Sequence, residues 1–292
     1  MSRPFPAEKI SGHGHTLGLA DILHDPSFRI ISSLRWSESG SKEPEVDVLL
    51  HNTTDKKLLR FHLDRLRSAA RALGWTVVVN SLEDDKSVEV FAGKIKDHIA
   101  TPSNLAAGHF RIHKVRIAVS SQGDIQIDSA VIQQSTKRDE IQHDPFDTRC
   151  LTRPPQRLSS SLCQVHLDMQ PTTPSVFTTH KTTYRTLYDD ARSRGGISNT
   201  GPTQAEILLF NAEHEIMEAS FSTPYFFRGT RWVTPPLSSG GNAGVTRRLA
   251  LEDAAAVCEP AVVKVEDIRD GELIWLSNAV RGFFQGIMVL RE

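Results

Sequence analysis

A glycine-dense loop, Ser238-Ser239-Gly240-Gly241-Asn242-Ala243-Gly244, runs directly into a helical pattern at Val245 and Thr246. Backbone N–H groups left open at a helix start make a site for an anion such as a phosphate. Two cations stand out beside this loop: Arg65, inside a strongly amphipathic stretch, and Lys181, between His180 and Thr182 at the head of a helical pattern. Taken singly, each has an ordinary explanation. The glycines make a tight connection, Arg65 is solvated beside neighbours such as Asp64, and Lys181 is a surface lysine. Other motifs are absent. Gly12-His13-Gly14-His15 lacks the third glycine of a dinucleotide fingerprint, His214-Glu215 has no second His at the metalloprotease spacing, and neither a GxxxxGK[ST] loop nor a GxSxG elbow occurs. His13 and His15 read as a solvated pair, and no metal site is expected.

The elements that must position these residues follow from periodicity. Leu59, Leu63, Leu66, Ala70 and Leu73 form one apolar stripe, so residues 56–73 read as a helix that Gly74 ends. The Val- and Ile-rich segments 75–80, 87–91, 114–120 and 124–128 read as strands, the last two joined by a Ser121-Gln122-Gly123 turn, which makes the first lobe α+β. Periodicity fades over residues 133–174, least structured over 148–161, and this stretch reads as a linker or large surface loop. Beyond it come a helix over 181–194, a hairpin of 205–211 with 215–220 around Ala212-Glu213-His214, strands at 225–227, 230–233, 261–265, 272–277 and 283–290, and a helix over 245–257. The division expected is a small α+β domain over 1–132, the linker over 133–174 and a larger domain over 175–292.

Composition narrows the function classes. The 292 residues are 39% hydrophobic and 24% charged, ordinary for a globular protein, and no apolar run approaches the ~20 residues needed to span a bilayer. With 34 basic and 35 acidic residues, no overall charge favours nucleic acid or an anionic membrane, so the expected partner is a small molecule. Cys150, Cys163 and Cys258 make no closed disulfide framework and no zinc spacing, which points to free thiols. The first residues show no apolar leader pattern, and the cytoplasm is the expected compartment.

Five blocks taken together carry a family resemblance: Phe28-Arg29-Ile30-Ile31-Ser32-Ser33-Leu34-Arg35, the Arg65 helix, His180-Lys181-Thr182-Thr183-Tyr184-Arg185, Glu218 with the Gly244-Val245-Thr246-Arg247 turn, and Ser277-Asn278-Ala279-Val280-Arg281-Gly282. In this order they resemble the fold-type IV pyridoxal-phosphate enzymes, which include branched-chain and D-amino acid transaminases and aminodeoxychorismate lyases. The resemblance spans nearly the whole chain. It implies an α/β (α+β) class, two-lobed fold with a small α+β N-terminal domain and a larger C-terminal domain built on a mostly antiparallel β core. It also implies pyridoxal 5'-phosphate as cofactor, a homodimer, and a role for each matched residue. Lys181 matches the lysine that carries the cofactor and moves protons. Glu218 matches the carboxylate on the ring nitrogen. Arg65, the backbone of Val245 and Thr246, and the side chain of Asn278 match the phosphate cradle.

Departures from the transaminase pattern choose within the family. Thr186 stands where transaminases carry a Tyr, and Thr223, followed by Pro224, stands where they carry an Asn, while Arg185 is similar to the lyase branch. The resemblance therefore implies an aminodeoxychorismate lyase, forming 4-aminobenzoate and pyruvate on the way to folate. A transaminase of the same fold and a non-catalytic homologue serving as a binding subunit are the alternatives. Its substrate carries two carboxylates, for which Arg185, Arg29, Arg35 and Arg281 are the candidate cations. Borohydride reduction of the cofactor-loaded protein is expected to fix a pyridoxyl label on Lys181, mapped by peptide mass. A label on Lys94, Lys96, Lys114 or Lys264 would overturn the assignment.

Overall fold

Apolar stripes on helices and alternation along strands divide the chain into two units, Met1–Asp144 with Lys181–Tyr184, and Pro145–His180 with Arg185–Glu292. The computed structural model describes residues 18–39, 53–83, 86–100, 110–135, 144–158 and 160–290. His13 and His15 lie outside the described residues, as does part of the stretch 133–143.

The first unit contains α1 (Leu19–His24), β1 (Ile30–Ser39), α2 (Thr53–Ala72), α3 (Thr76–Ser81), α4 (Ser87–Ala100), β2 (Phe110–Val119) and β3 (Ile125–Ser135). Its sheet is antiparallel in the order β1-β2-β3, with Ile30 opposite Val119 and Ile117 opposite Ile127. The stripe on α2 packs as its spacing requires: Leu59, Leu63, Leu66 and Ala70 share one core with Ile30, Leu34 and Trp36 of β1 and with Phe91, Ile95 and Ile99 of α4. Gly74 leaves that helix with φ +71°, a conformation that favours glycine. Residues 76–81 and 87–100 are helices, not the strands that their Val content suggested. Burial explains the difference. Val78 is buried while Val77 is 60% exposed, and Val88, Phe91, Ala92, Ile95 and Ile99 are buried at helical spacing, a period hidden in a window that stops at Phe91.

The second unit holds β4 (Cys163–Leu167), α5 (Val176–Thr179), α6 (Thr186–Arg194), β5 (Ala205–Phe210), β6 (Ile216–Ala219), β7 (Thr223–Arg228), β8 (Arg231–Thr234), α7 (Val245–Asp253), β9 (Cys258–Pro260), β10 (Leu273–Asn278) and β11 (Gly282–Met288). They form one eight-stranded sheet, β6-β5-β4-β11-β10-β7-β8-β9. Four of its pairings are antiparallel, while β4 runs parallel to both β5 and β11, and β9 runs parallel to β8. Both faces are covered, since Ile207 and Leu209 of β5 pack with Tyr188 and Ala191 of α6 while Leu208 and Phe210 join the opposite core. The fold is α+β with a mostly antiparallel main sheet.

Four local expectations change. Within 133–174, residues 163–167 are an interior strand whose five residues, paired on both sides by distant segments, are too short to show a period. Residues 148–152 form a short 3-10 helix with Leu151 buried. The helix expected from Lys181 begins at Thr186. Lys181–Tyr184 instead pair with β1, where Ile31 N–H donates to the Lys181 carbonyl and Thr183 N–H to the Arg29 carbonyl, each at 2.9 Å, so that pairing with β1 overrides local helical preference. The strand expected over 261–265 is displaced to 258–260, where pairing with β8 is available.

Gly282 opens β11 with φ +76°, and a β-carbon there would collide with the Pro145 carbonyl that accepts from Phe283 N–H at 2.8 Å. Gly282→Ala is expected to cost at least ~2 kcal/mol. A lowered denaturant midpoint in equilibrium unfolding would register it, and an unchanged midpoint would contradict the strain.

Candidate active site

In the first unit, alternation along β1 turns Ser32, with Ile30, Leu34 and Trp36, toward α2. His62 and Arg65, three residues apart on α2, lie on one helix face and meet it there. Ser32 Oγ is 2.7 Å from His62 Nδ1, and Arg65 Nη2 donates to the same oxygen over 3.4 Å. Ser32 Oγ thus links the His62 ring to the Arg65 guanidinium, with one proton to give and two lone pairs to accept. His62 is 2% exposed. Burial, then the charges of Arg65 and Lys181, holds its imidazole well below its ordinary pKa, so the ring is neutral and both cations act on it.

In the second unit, Glu218 lies on β6 and accepts a hydrogen bond from the Tyr188 hydroxyl of α6 at 2.6 Å. The turn that follows Glu218 is tied down residue by residue. Glu206, fully buried on β5, accepts from Ser220 Oγ at 2.6 Å, Phe221 N–H at 3.0 Å and Ser222 Oγ at 2.9 Å. Burial pushes the Glu206 carboxyl up, while these donors and the Arg192 charge pull it down. Arg192 donates to Ser220 Oγ and to the carbonyls of Ala205, Ile197 and Thr200.

The glycine loop packs against this strand. A β-carbon on Gly241 would collide with the Met217 carbonyl, and one on Gly244 would meet Thr223 Oγ1 at 2.8 Å, so the two glycines let the start of α7 approach β6 and β7. The helix opens on Gly244 with no side-chain cap, leaving its first N–H groups, those of Val245 and Thr246 among them, directed outward from the helix start. Thr246 Oγ1 accepts from Ser277 Oγ at 2.8 Å, and Ser277 Oγ is 2.9 Å from the Tyr225 hydroxyl. Asn278 Oδ1 accepts from the N–H groups of Val280 and Arg281 at 3.1 and 2.9 Å, so that oxygen shapes its own turn.

The four candidate arginines hold separate partners. Arg29 donates to the carbonyls of Pro26 and Phe28, and Arg35 donates to Gln133 at 3.3 Å. Arg281 stacks 3.5 Å over the Phe284 ring and donates to the Pro202 carbonyl. Arg185 donates to the Ser220 carbonyl at 2.9 Å and lies over the rings of Tyr188 and Phe221 at 4.8 and 4.5 Å. Sequence reasoning missed His62, Ser32, Tyr188 and Glu206. Only His62 left a signal, as a polar residue bordering the Leu59-Leu63-Leu66 stripe three positions before Arg65.

Residues 57–286 match the family described as amino-transferase class IV. The chain belongs to that family. Class IV proteins are fold-type IV pyridoxal-phosphate enzymes. A Schizosaccharomyces pombe relative provisionally named an aminodeoxychorismate lyase is 23% identical over 235 residues, 80% of this chain and 85% of that protein. The aminodeoxychorismate lyase of Saccharomyces cerevisiae is 25% identical over 194 residues, 60% of this chain and 51% of that protein. A solved Mesorhizobium loti protein, provisionally named an amino-acid aminotransferase, shares the class IV fold at a TM-score of 0.58 and 22% identity, over 90% of this chain and all of that one.

Each unit by itself holds groups that suit part of the class IV cofactor, which presents a phosphate dianion, an aldehyde and a ring nitrogen. The second unit holds an open helix start, the buried Thr246 hydroxyl and the Glu218 carboxylate, and the first holds the Arg65 guanidinium and the Lys181 amine. Among the described residues no group of three or more His, Cys, Asp or Glu could hold a metal, and the three cysteines are free thiols, each pushed up by burial to about 12. No helix among the described residues is long and apolar enough to cross a membrane.

The neutral state of His62 has a pH consequence. Its folded pKa lies below the ordinary 6.5, so below pH 6.5 the unfolded chain binds a proton that the folded one refuses, and stability falls as pH drops. Above 6.5 the effect vanishes. His62→Gln is expected to flatten the acid limb by up to ~1.4 kcal/mol per pH unit, measured by urea unfolding between pH 5 and 7. Parallel curves for both proteins would contradict a buried neutral imidazole.

Proposed function

We propose that this class IV protein is a pyridoxal-phosphate-dependent 4-amino-4-deoxychorismate lyase that forms 4-aminobenzoate and pyruvate. The observation that carries this reading is that relatives recognisable by sequence, one over 80% of the chain, bear the lyase name. Thr186, Thr223 and Arg185 support the same branch.

Bound pyridoxal phosphate supplies an aldehyde carbon for the substrate amine and a ring that takes up electron density. Lys181 would hold the cofactor at that carbon, and its neutral amine, when free, would take the proton from the amine-bearing ring carbon of the substrate. The neighbouring carbon–oxygen bond breaks, the substrate ring becomes aromatic, and the departing enolpyruvate gains a proton at its methylene carbon to become pyruvate. No oxidant or second substrate is consumed. Glu218 would pair with the cofactor's ring nitrogen, and Arg65, the N–H groups of Val245 and Thr246 and the side chain of Asn278 would hold the phosphate. Arg29, Arg35 and Arg281 remain the candidates for the substrate carboxylates. The reading carries with it a homodimeric, cytoplasmic enzyme of folate synthesis.

Incubation with 4-amino-4-deoxychorismate alone is expected to release 4-aminobenzoate and pyruvate in equal amounts over many turnovers. A protein that instead stops after one equivalent of an amino acid, and restarts only when an oxo acid is added, is a transaminase.

A further inference from the structure

Tyr188 is 6% exposed, and its hydroxyl approaches Glu218 Oε1 at 2.6 Å, the length of a charge-assisted O–H···O⁻ bond. The phenol is itself held in place. Arg185 lies 4.8 Å over its ring and 4.5 Å over that of Phe221, and its Nη2 donates to the Ser220 carbonyl, so one guanidinium clamps both the donor to Glu218 and the turn leaving Glu218. We propose that Tyr188 is a positioning residue that acts through Glu218, and that Arg185 serves to fix Tyr188 instead of receiving a substrate carboxylate. This inference rests on the reading of Glu218 as the partner of the cofactor's ring nitrogen.

The chemistry follows from which form of the carboxylate the phenol favours. A donor stabilises the ionised form, so the bond from Tyr188 keeps Glu218 a weaker base. A weaker base leaves the shared proton on the ring nitrogen, where it makes the ring accept electrons. Loss of the donor makes Glu218 more basic and draws the proton toward the carboxylate, weakening that acceptance. Tyr188 can serve at any working pH. Burial first, and the Glu218 charge next, push its phenol well above the ordinary tyrosine range, so it stays a donor. Arg185 has less freedom to serve the substrate, because a carboxylate would compete with the Ser220 carbonyl and with both aromatic faces.

The test compares the wild type, Tyr188→Phe and Arg185→Gln, each loaded with pyridoxal phosphate. Tyr188→Phe keeps the ring and removes only the hydroxyl. It is expected to retain cofactor with unchanged affinity, to shift the visible absorbance band, and to lose turnover on the order of tenfold per unit of basicity gained by Glu218, with KM little changed. Arg185→Gln should move the band and kcat in the same direction by less. A merely structural tyrosine would lower the melting temperature and leave the band in place, which would overturn the inference. A raised KM with an unshifted band in Arg185→Gln would return that arginine to substrate binding and overturn its part. Should Tyr188→Phe fail to fold, Arg185→Gln still decides through its band position. A wild type that takes up no pyridoxal phosphate would sink this inference together with the proposed function. One that loads and turns over while Tyr188→Phe matches it would sink this inference alone.

Discussion

Burial pushes a carboxyl up toward its neutral form, and hydrogen bonds with an opposite charge offset that push, as they do in part at Glu206. Glu206 receives three donors from three consecutive residues, Ser220, Phe221 and Ser222, and Arg192 supplies the cation. That arrangement organises the chemical half of the second unit. It sets the path of the chain leaving Glu218, and the Ser220 carbonyl so placed becomes the acceptor for Arg185. Arg185 then lies over Tyr188, which donates to Glu218. One buried acid on β5 thus supports another, partly exposed, on β6.

The same economy governs the first unit, with a neutral ring in place of an ion. Ser32 Oγ meets both the His62 ring and the Arg65 guanidinium, so one hydroxyl orients an imidazole and steadies a cation at once. His62 cannot charge because it is buried beside two cations. Lys181 owes its conformation to β1, whose backbone groups bond to the Lys181 carbonyl and to Thr183 N–H. A backbone held in this way has less conformational freedom than a fraying helix end.

Legibility in the sequence varied with how local the cause was. The α2 stripe, the turn at Ser121-Gln122-Gly123, the hairpin after β5 and the glycine loop before α7 were readable because spacing and turn residues act within a few positions. The strands assigned to 75–80 and 87–91 failed because branched residues were counted without asking which of them could be buried together. Strand β4 escaped because its two partners lie far along the chain. Among site residues, Lys181, Arg65, Glu218 and the Val245-Thr246 start stood in recognisable blocks. Tyr188 and Glu206 did not, and Ser32 lay unmarked inside the first block, since a Tyr, a Glu or a Ser on an element carries no mark of the hydrogen bond it will make.

The sequence by itself determined the family, the α+β class and the inventory of reactive groups, because these depend on residue type, order and short-range periodicity. Only the tertiary structure decided how those groups are conditioned. It turned Lys181–Tyr184 from an expected helix into an extended segment bridged to β1, and it sent the four candidate arginines to different partners. It also joined Tyr188 to Glu218 across thirty residues. The reason is physical: desolvation, hydrogen bonding and charge act over a few ångströms of space, and the chain brings distant residues within that range only once its cores have closed.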